Sequence, residues 1–270
     1  MASAMAISLT HRIRAFIPDM PYQTVSFLGL TFRPMTTADA ASEIVRMAGA
    51  GNPFEYVVTP NVDHMIRLEA EPDLRPLYDG AGLLVNDSRI LETLARRDGV
   101  DLPASPGADI VAALLNQTIA PDDPITVIGT DRSDVEIIRE RFGLTNLAWH
   151  EPPMGLRNKP EAIGEAAAFM AAHPARFHFL CVGSPQQEMV ALAAKERGDV
   201  MGIGLCCGAS LDFLSGKTAR APAWMRSARL EWLHRMLSEP KRLTKRYIVD
   251  GPRILSIWRK YRKAGEAVSQ

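Results

Sequence analysis

The feature that most constrains the fold of this chain is the alternation of short apolar runs with longer stretches of helical spacing. Apolar runs typical of strands occur at 25–30, 55–59, 83–85, 125–129, 147–150, 176–183 and 200–205. Such alternation is characteristic of a parallel sheet with helices on both of its faces. We therefore predict an α/β fold with a mostly parallel, Rossmann-like sheet, flanking helices and a helical C-terminal appendage.

Several of the predicted strands end in a polar or glycine-rich turn that opens a helix. These turns lie at 59–61, 86–88, 129–131 and 183–185. The carboxyl ends of parallel strands share one edge of the sheet, where ligands bind in this fold class. We therefore expect these turns, although far apart in sequence, to line one cleft.

Two predicted helix starts have the residues of a capping box, in which a side chain at each end of the first turn bonds the backbone. They are Ser133-Asp134-Val135-Glu136 and Ser184-Pro185-Gln186-Gln187. Gln187 could serve only to close its box, or it could face a ligand, because backbone N–H groups at a helix start also suit a phosphate. The residues alone leave both interpretations open.

Asp87 follows the apolar run 83–85 almost directly, in the sequence Asn86-Asp87-Ser88. A lone carboxylate at the end of a strand is a candidate general base. The alternative is that Asp87 or Ser88 only caps the next helix, and taken alone the residues favour that alternative.

The C-terminal part of the chain is strongly basic. Residues 217–263 contain 14 Lys and Arg against three Asp and Glu, although the whole chain has a formal net charge of zero. Aromatic residues and prolines are interleaved with these charges, and the stretch 229–237 has the spacing of an amphipathic helix. Such a segment suits either a nucleic acid or an anionic bilayer surface.

Several classes of protein are disfavoured by the sequence. No run approaches the roughly 18 apolar residues that span a bilayer, and the first 20 residues lack the apolar core of a signal peptide. The glycines at 202–208 have one residue too many for a dinucleotide fingerprint, and no metal-ligand spacing occurs. We expect a cytoplasmic protein with no cofactor and no metal, whose cysteines (Cys181, Cys206 and Cys207) are buried thiols.

A series of motifs then occurs in a defined order and spacing. They are Thr59-Pro60-Asn61, Pro106-Gly107-Ala108-Asp109, Gly183-Ser184-Pro185-Gln186-Gln187-Glu188, Asp212-Phe213 and Glu231-Trp232-Leu233-His234-Arg235. From about residue 25 onwards the chain resembles the WecG/TagA/CpsF glycosyltransferases. The resemblance implies a bacterial, inverting, metal-independent transferase that moves a sugar from a UDP-sugar to a polyprenyl-diphosphate-linked sugar in cell-surface polysaccharide synthesis. It also implies a peripheral position on the inner face of the plasma membrane.

The resemblance assigns roles position by position. Asp87 matches the presumed general base, in a turn that usually reads Asp-Gly and here reads Asp87-Ser88-Arg89. Thr59 and Asn61 match the pair beside the donor sugar. The positions assigned to donor binding are Ser184, Gln187, Glu188, Asp109 and Asp212. The positions assigned to the diphosphate and acceptor are Arg235, Arg242 and Arg246.

We accordingly divide the chain into a loose N-terminus (1–24), a catalytic domain (25–216) and a basic helical appendage (217–270). The expected partners are a UDP-sugar donor, a polyprenyl-diphosphate-linked sugar acceptor and an anionic membrane surface contacted through residues 217–263. We expect no nucleic acid, and a homo-oligomer is compatible with the sequence. Two alternatives stay open: a non-catalytic UDP-sugar-binding relative and a nucleic-acid-binding protein.

Overall fold

A six-stranded parallel sheet forms the centre of the computed structural model, which describes residues 23–49, 52–217, 225 and 251–268, with side chains up to residue 263. Its strands are β3 (Glu55–Val58), β4 (Leu83–Leu84), β5 (Ile125–Gly129), β6 (Leu147–His150), β7 (Phe177–Cys181) and β8 (Ile203–Cys206). They lie in the order β4-β3-β8-β7-β5-β6. The predicted α/β fold with a mostly parallel sheet is therefore confirmed.

Helices cover both faces of this sheet. They are α1 (Thr37–Met47), α2 (Val62–Ala70), α3 (Pro76–Asp79), α4 (Arg89–Arg97), α5 (Gly107–Gln117), α6 (Arg132–Phe142), α7 (Pro160–Ala172), α8 (Gln186–Arg197), α9 (Ser210–Ser215) and α10 (Arg253–Val268). Short 3-10 helices occur at Pro72–Leu74 and Leu156–Asn158. None of the helices in these described ranges is long and apolar enough to cross a membrane.

The alternation of side chains along the strands produces two cores, one on each face of the sheet. In β3, Tyr56 and Val58 belong to the core beneath α2, α4, α7 and α8, whereas Val57 belongs to the core beneath α1, α5 and α6. Successive residues of a strand point to opposite faces, so a strand buried on both sides must be apolar throughout. This explains why the central strands appear in the sequence as continuous apolar runs.

The apolar run at 25–30, predicted as one strand, forms a separate antiparallel hairpin instead. It consists of β1 (Val25–Phe27) and β2 (Leu30–Phe32). Leu28 and Gly29 have φ angles of 47° and 78°, which are the positive values required of a tight two-residue hairpin turn. The reversal keeps Phe27, Leu30 and Phe32 buried in the core beside α10.

Both predicted capping boxes are wrong. Helix α6 begins at Arg132, before the proposed box, and the carboxylate of Asp134 instead accepts a hydrogen bond of 2.8 Å from Ser215 Oγ. Helix α8 begins at Gln186 without a side-chain cap, because Ser184 Oγ accepts a hydrogen bond of 2.7 Å from Arg67 Nη1. At Ser184 a partner distant in sequence engages the side chain that local spacing assigned to the cap. Ser133 cannot cap α6 because it lies inside the helix.

Helix α10 lies within the region predicted as an appendage, yet its side chains pack into the core of the α/β fold. Ile254, Ile257 and Trp258 are buried, and Ile254 and Trp258 belong to the same core as Phe27. The indole Nε1 of Trp258 donates a hydrogen bond of 2.6 Å to Asp98 Oδ2 at the end of α4. The last helix therefore joins the layer formed by α2 and α4.

Candidate active site

The turns that follow β3 and β4 are joined to each other at the carboxyl edge of the sheet. The backbone N–H of Asp87 donates a hydrogen bond of 3.0 Å to the carbonyl oxygen of Pro60. The two strands are neighbours in parallel register, which pairs Val58 with Leu84. The prediction that these two turns, 26 residues apart, lie together is therefore confirmed by the Asn61–Asp87 contact.

Both carboxylate oxygens of Asp87 are held by neighbouring groups. Oδ2 accepts a hydrogen bond of 3.2 Å from Asn61 Nδ2, and Oδ1 accepts one of 2.9 Å from the backbone N–H of Gly107. Gly107 is the first residue of α5, so the carboxylate lies against a helix N-terminus, where negative charge is favoured. Asp87 itself is half-buried, which leaves part of it open to solvent.

Ser88, rather than Asp87, caps helix α4. Ser88 Oγ accepts a hydrogen bond of 3.3 Å from the N–H of Leu91. The backbone of Ser88 has φ −116° and ψ 119°, an extended conformation that any residue adopts. A glycine is therefore not required at this position, and the cap is supplied by Ser88 rather than by Asp87.

Asn86 stabilises the same turn through its buried side chain and was not singled out in the sequence. Its side chain is fully buried; Oδ1 accepts from the N–H of Ser88 at 2.9 Å, and Nδ2 donates to the carbonyl of Leu102 at 3.2 Å. An asparagine that bonds the backbone two residues onward stabilises a turn without glycine. The only signal for this role in the sequence is an amide residue at the end of an apolar run.

Thr59 lies beside Gly107 as well. A Cβ atom placed on Gly107 would lie 2.8 Å from Thr59 Oγ1, closer than side chains tolerate. The absence of a side chain at Gly107 therefore lets α5 approach both Thr59 and Asp87. Thr59, Asn61 and Asp87, predicted as one group, meet around the start of this helix.

Gln187 and Glu188, both predicted to bind the donor, are buried and bonded to each other. Gln187 is only 4% exposed; its Oε1 accepts from the N–H of Gly208 at 2.8 Å, and its Nε2 donates to Glu188 Oε1 at 2.8 Å. Glu188 is fully buried, and this burial raises the pKa of its carboxyl group. Both side chains point into the protein.

Ser184 is engaged by Arg67, a residue that the sequence analysis did not identify. Besides donating to Ser184 Oγ, Arg67 forms a salt bridge of 2.8 Å with Asp63, one turn earlier on α2. The Asp63–Arg67 spacing of four residues on a helix is the signal that was available in the sequence. Arg67 ties the turn after β7 to helix α2.

The remaining predicted site residues are placed as follows. Asp109 lies in the first turn of α5, two residues after Gly107, and Asp212 lies in the first turn of α9. Arg235, Arg242 and Arg246 lie outside the described residues. No group of three or more potential metal ligands occurs among the residues that the structure describes. Of the cysteines, Cys206 is buried, and the sulfur atoms of Cys181 and Cys207 are 3.5 Å apart.

Comparison with known protein families gives one match over most of the chain. The model of the family described as "Glycosyl transferase WecG/TagA/CpsF family" matches residues 25–267. The match begins at β1 and extends almost to the end of α10, so it includes every residue discussed above.

Proposed function

The chain belongs to the WecG/TagA/CpsF family of glycosyltransferases, and from this premise we propose that it transfers a sugar from a UDP-sugar to a polyprenyl-diphosphate-linked saccharide. We propose further that the transfer inverts the anomeric configuration, requires no metal ion and contributes to cell-surface polysaccharide synthesis. Family membership as such indicates a glycosyltransferase that uses a sugar donor and a sugar-linked acceptor. The observation that supports the more specific mechanism is the double anchoring of Asp87 by Asn61 and Gly107.

In the proposed reaction Asp87 acts as the general base. The acceptor hydroxyl oxygen forms a bond to the anomeric carbon from the face opposite UDP, and the bond to the UDP oxygen breaks. UDP departs with the bonding electron pair, while the hydroxyl proton passes to the carboxylate of Asp87. Positioned proton transfer of this kind contributes about 10²- to 10⁴-fold to the rate.

The contacts of Asp87 support this role because they orient the carboxylate at both of its oxygens. Asn61 holds Oδ2, and the N–H of Gly107 holds Oδ1. A base held at both oxygens keeps its orientation while substrate binds, and such preorganisation lowers the barrier. Thr59, next to Gly107, is proposed to contact the donor sugar.

Negative charge that develops on the departing diphosphate requires positive partners. We propose that Arg235, Arg242 and Arg246 supply them, together with backbone N–H groups at helix starts along the carboxyl edge. Asp109 and Asp212, in the first turns of α5 and α9, are proposed to contact the donor. Ser184, Gln187 and Glu188 are proposed to serve the donor site as well, Glu188 indirectly because its side chain is fully buried.

The substitution Asp87→Asn tests the general base. It retains the size of the side chain but cannot accept the proton, so turnover with a UDP-sugar and a lipid-linked acceptor should fall about 10²- to 10⁴-fold while UDP-sugar binding persists. Asp73→Asn, at an exposed carboxylate, is the matched control and should leave turnover unchanged. Near-normal turnover of the Asp87→Asn protein would refute the assignment. Binding of donor without transfer by the wild-type protein would indicate a non-catalytic relative.

The metal-independent mechanism has its own test. Turnover should be the same before and after treatment with EDTA, and added Mg²⁺ or Mn²⁺ should not increase it. A strict requirement for either ion would contradict the proposal.

We also propose that residues 217–263 attach the protein to the anionic inner face of the plasma membrane. Each basic residue near such a surface contributes about 1 kcal/mol. Deletion of the whole segment is a poor test, because it would remove Ile254 and Trp258 from the core. The better variant reverses the charges of Arg235, Arg242 and Arg246 together. It should sediment less with phosphatidylglycerol vesicles than the wild type, whereas neither protein should sediment with neutral vesicles; equal sedimentation with the anionic vesicles would oppose the membrane role.

A further inference from the structure

Glu188 is a fully buried carboxyl group in the first turn of α8. Its surroundings include the buried phenol rings of Tyr56 and Tyr78 and the thiol of Cys206, and the described residues form no salt bridge with it. Burial raises the pKa of the Glu188 carboxyl group, although its hydrogen bonds and the charge of Arg67 act in the opposite direction. A carboxyl group retained in so apolar an environment requires a specific reason.

The hydrogen bonds of Glu188 supply such a reason. Its Oε1 accepts from Gln187 Nε2 at 2.8 Å, and Gln187 Oε1 in turn accepts from the backbone N–H of Gly208 at 2.8 Å. A side-chain amide has a donor end and an acceptor end. If the amide of Gln187 were reversed, its NH₂ group would face the N–H of Gly208 and its oxygen would face the Glu188 oxygen.

The bond from Gly208 reaches the carboxyl edge of the sheet. Gly208 belongs to the turn between β8 and α9, and β8 is the neighbour of β3, whose own turn carries Thr59 and Asn61. Gly208 has φ +52°, a left-handed conformation that favours glycine. The side chain of Gln187 therefore holds this turn at a fixed distance from α8.

We propose that Glu188 is a positioning residue that sets the orientation of the Gln187 amide and thereby fixes Gly208 and the start of α9. The consequence for catalysis rests on the proposed function, because the turn at Gly208 leads directly to Asp212. Within the described residues, Glu188 Oε1 accepts its hydrogen bond from Gln187, whereas Oε2 is buried without a partner in hydrogen-bonding geometry.

Two substitutions separate this role from a simple packing role. Glu188→Gln retains the size of the side chain and an oxygen that accepts from Gln187. Glu188→Leu fills a similar volume but removes the acceptor, which leaves Gln187 Nε2 buried without a partner. Glu196→Leu, at an exposed carboxylate on the same helix, is the matched control.

The measurement is amide hydrogen exchange at Gly208 in the full-length protein, accompanied by the donor KM and kcat. In Glu188→Leu the Gly208 amide should exchange at least about tenfold faster than in the wild type, because its acceptor is no longer held in place. The amides in the middle of α7 serve as internal references and should change little. Glu188→Gln should restore the protection of Gly208 and keep KM and kcat within about threefold of the wild type, while Glu188→Leu raises the donor KM.

Two outcomes would overturn the proposal. Unchanged protection of Gly208 in Glu188→Leu would show that Glu188 does not act through Gln187. Equal defects in Glu188→Gln and Glu188→Leu would show that an acceptor oxygen at this position does not hold Gln187 in place. Since the exchange experiment requires no sugar, a wild-type protein without transferase activity would refute the proposed function and leave this test intact.

Discussion

The docking of α10 onto the α/β fold leads to a quantitative prediction for Trp258. The side chain is 8% exposed, and its Nε1 donates to Asp98 while the guanidinium of Arg262 lies 5.1 Å from its ring centroid. Burial of a tryptophan removes about 150–250 Å² from water, which corresponds to about 4–6 kcal/mol at 25 cal/mol per Å². Truncation of such a residue to alanine typically costs about 3–5 kcal/mol.

Trp258→Ala should therefore destabilise the protein by about 3–5 kcal/mol. If α10 detaches in the variant, the loss cannot exceed the free energy with which α10 docks. Trp258→Phe keeps most of the apolar contact and loses the hydrogen bond to Asp98, so it should cost about 1–2 kcal/mol. Leu255→Ala, on the exposed side of the same helix, is the control and should cost less than about 1 kcal/mol.

The free energy of unfolding should be measured by urea denaturation of the full-length chain, with far-UV circular dichroism as the signal because the substitutions remove a fluorophore. If Trp258→Ala costs no more than Leu255→Ala, helix α10 is not part of the core and the reasoning is refuted. An intermediate loss, equal in Trp258→Ala and in a variant that lacks α10, would instead measure the docking free energy directly.

Three further predictions concern the stability of the α/β fold. Gly202→Ala should lower the free energy of unfolding by more than about 2 kcal/mol in urea denaturation, because Gly202 has φ +87° and an added Cβ would lie 2.2 Å from a backbone carbonyl oxygen. Gly143→Ala is the control: Gly143 has φ +64° but open space around it, so the loss should be about 1 kcal/mol. Burial lowers the pKa of His178 to about 4, so as the pH falls the unfolded chain binds a proton at this histidine before the folded protein does. The free energy of unfolding should therefore fall by up to about 1.4 kcal/mol per pH unit as the pH drops from about 6.5 to 4. His178→Gln should remove this slope. Asn86→Ala should cost about 2–4 kcal/mol, measured by urea denaturation, because it leaves the carbonyl of Leu102 and a backbone N–H buried without their partner; a loss below about 1 kcal/mol would contradict the role of Asn86 in the turn.

Much of the candidate site could be predicted from short stretches of sequence. The apolar runs and the polar turns that follow them are local features, and the parallel α/β fold implied that the turns share an edge. Asp87 shows the limit of this reasoning. The residues alone could not choose between a base and a helix cap, because both require a polar side chain at the same position; the tertiary structure assigns the cap to Ser88 and leaves Asp87 to Asn61 and Gly107.

Both predicted helix caps failed. Ser184 and Ser133 were assigned to caps from their spacing, but Ser184 is bonded by Arg67, which is distant in sequence, and Ser133 lies inside α6. Gln187 was left between a cap and a ligand contact, and it bonds Gly208, 21 residues away. Local spacing defines which bonds a side chain can form within its own turn, whereas the bond that forms depends on every competing group that folding brings near.

The sequence by itself determined the class of the fold, the edge of the sheet at which a site would lie and the family to which the chain belongs, because each depends on residues that are close together along the chain. Only the tertiary structure decided the strand order, the burial of Glu188 and the docking of α10 against the hairpin at β1 and β2. The order β4-β3-β8-β7-β5-β6 places β8 beside β3 although about 145 residues separate them. Such neighbours are selected by the total packing and hydrogen bonding of the whole chain, which no short stretch of sequence contains.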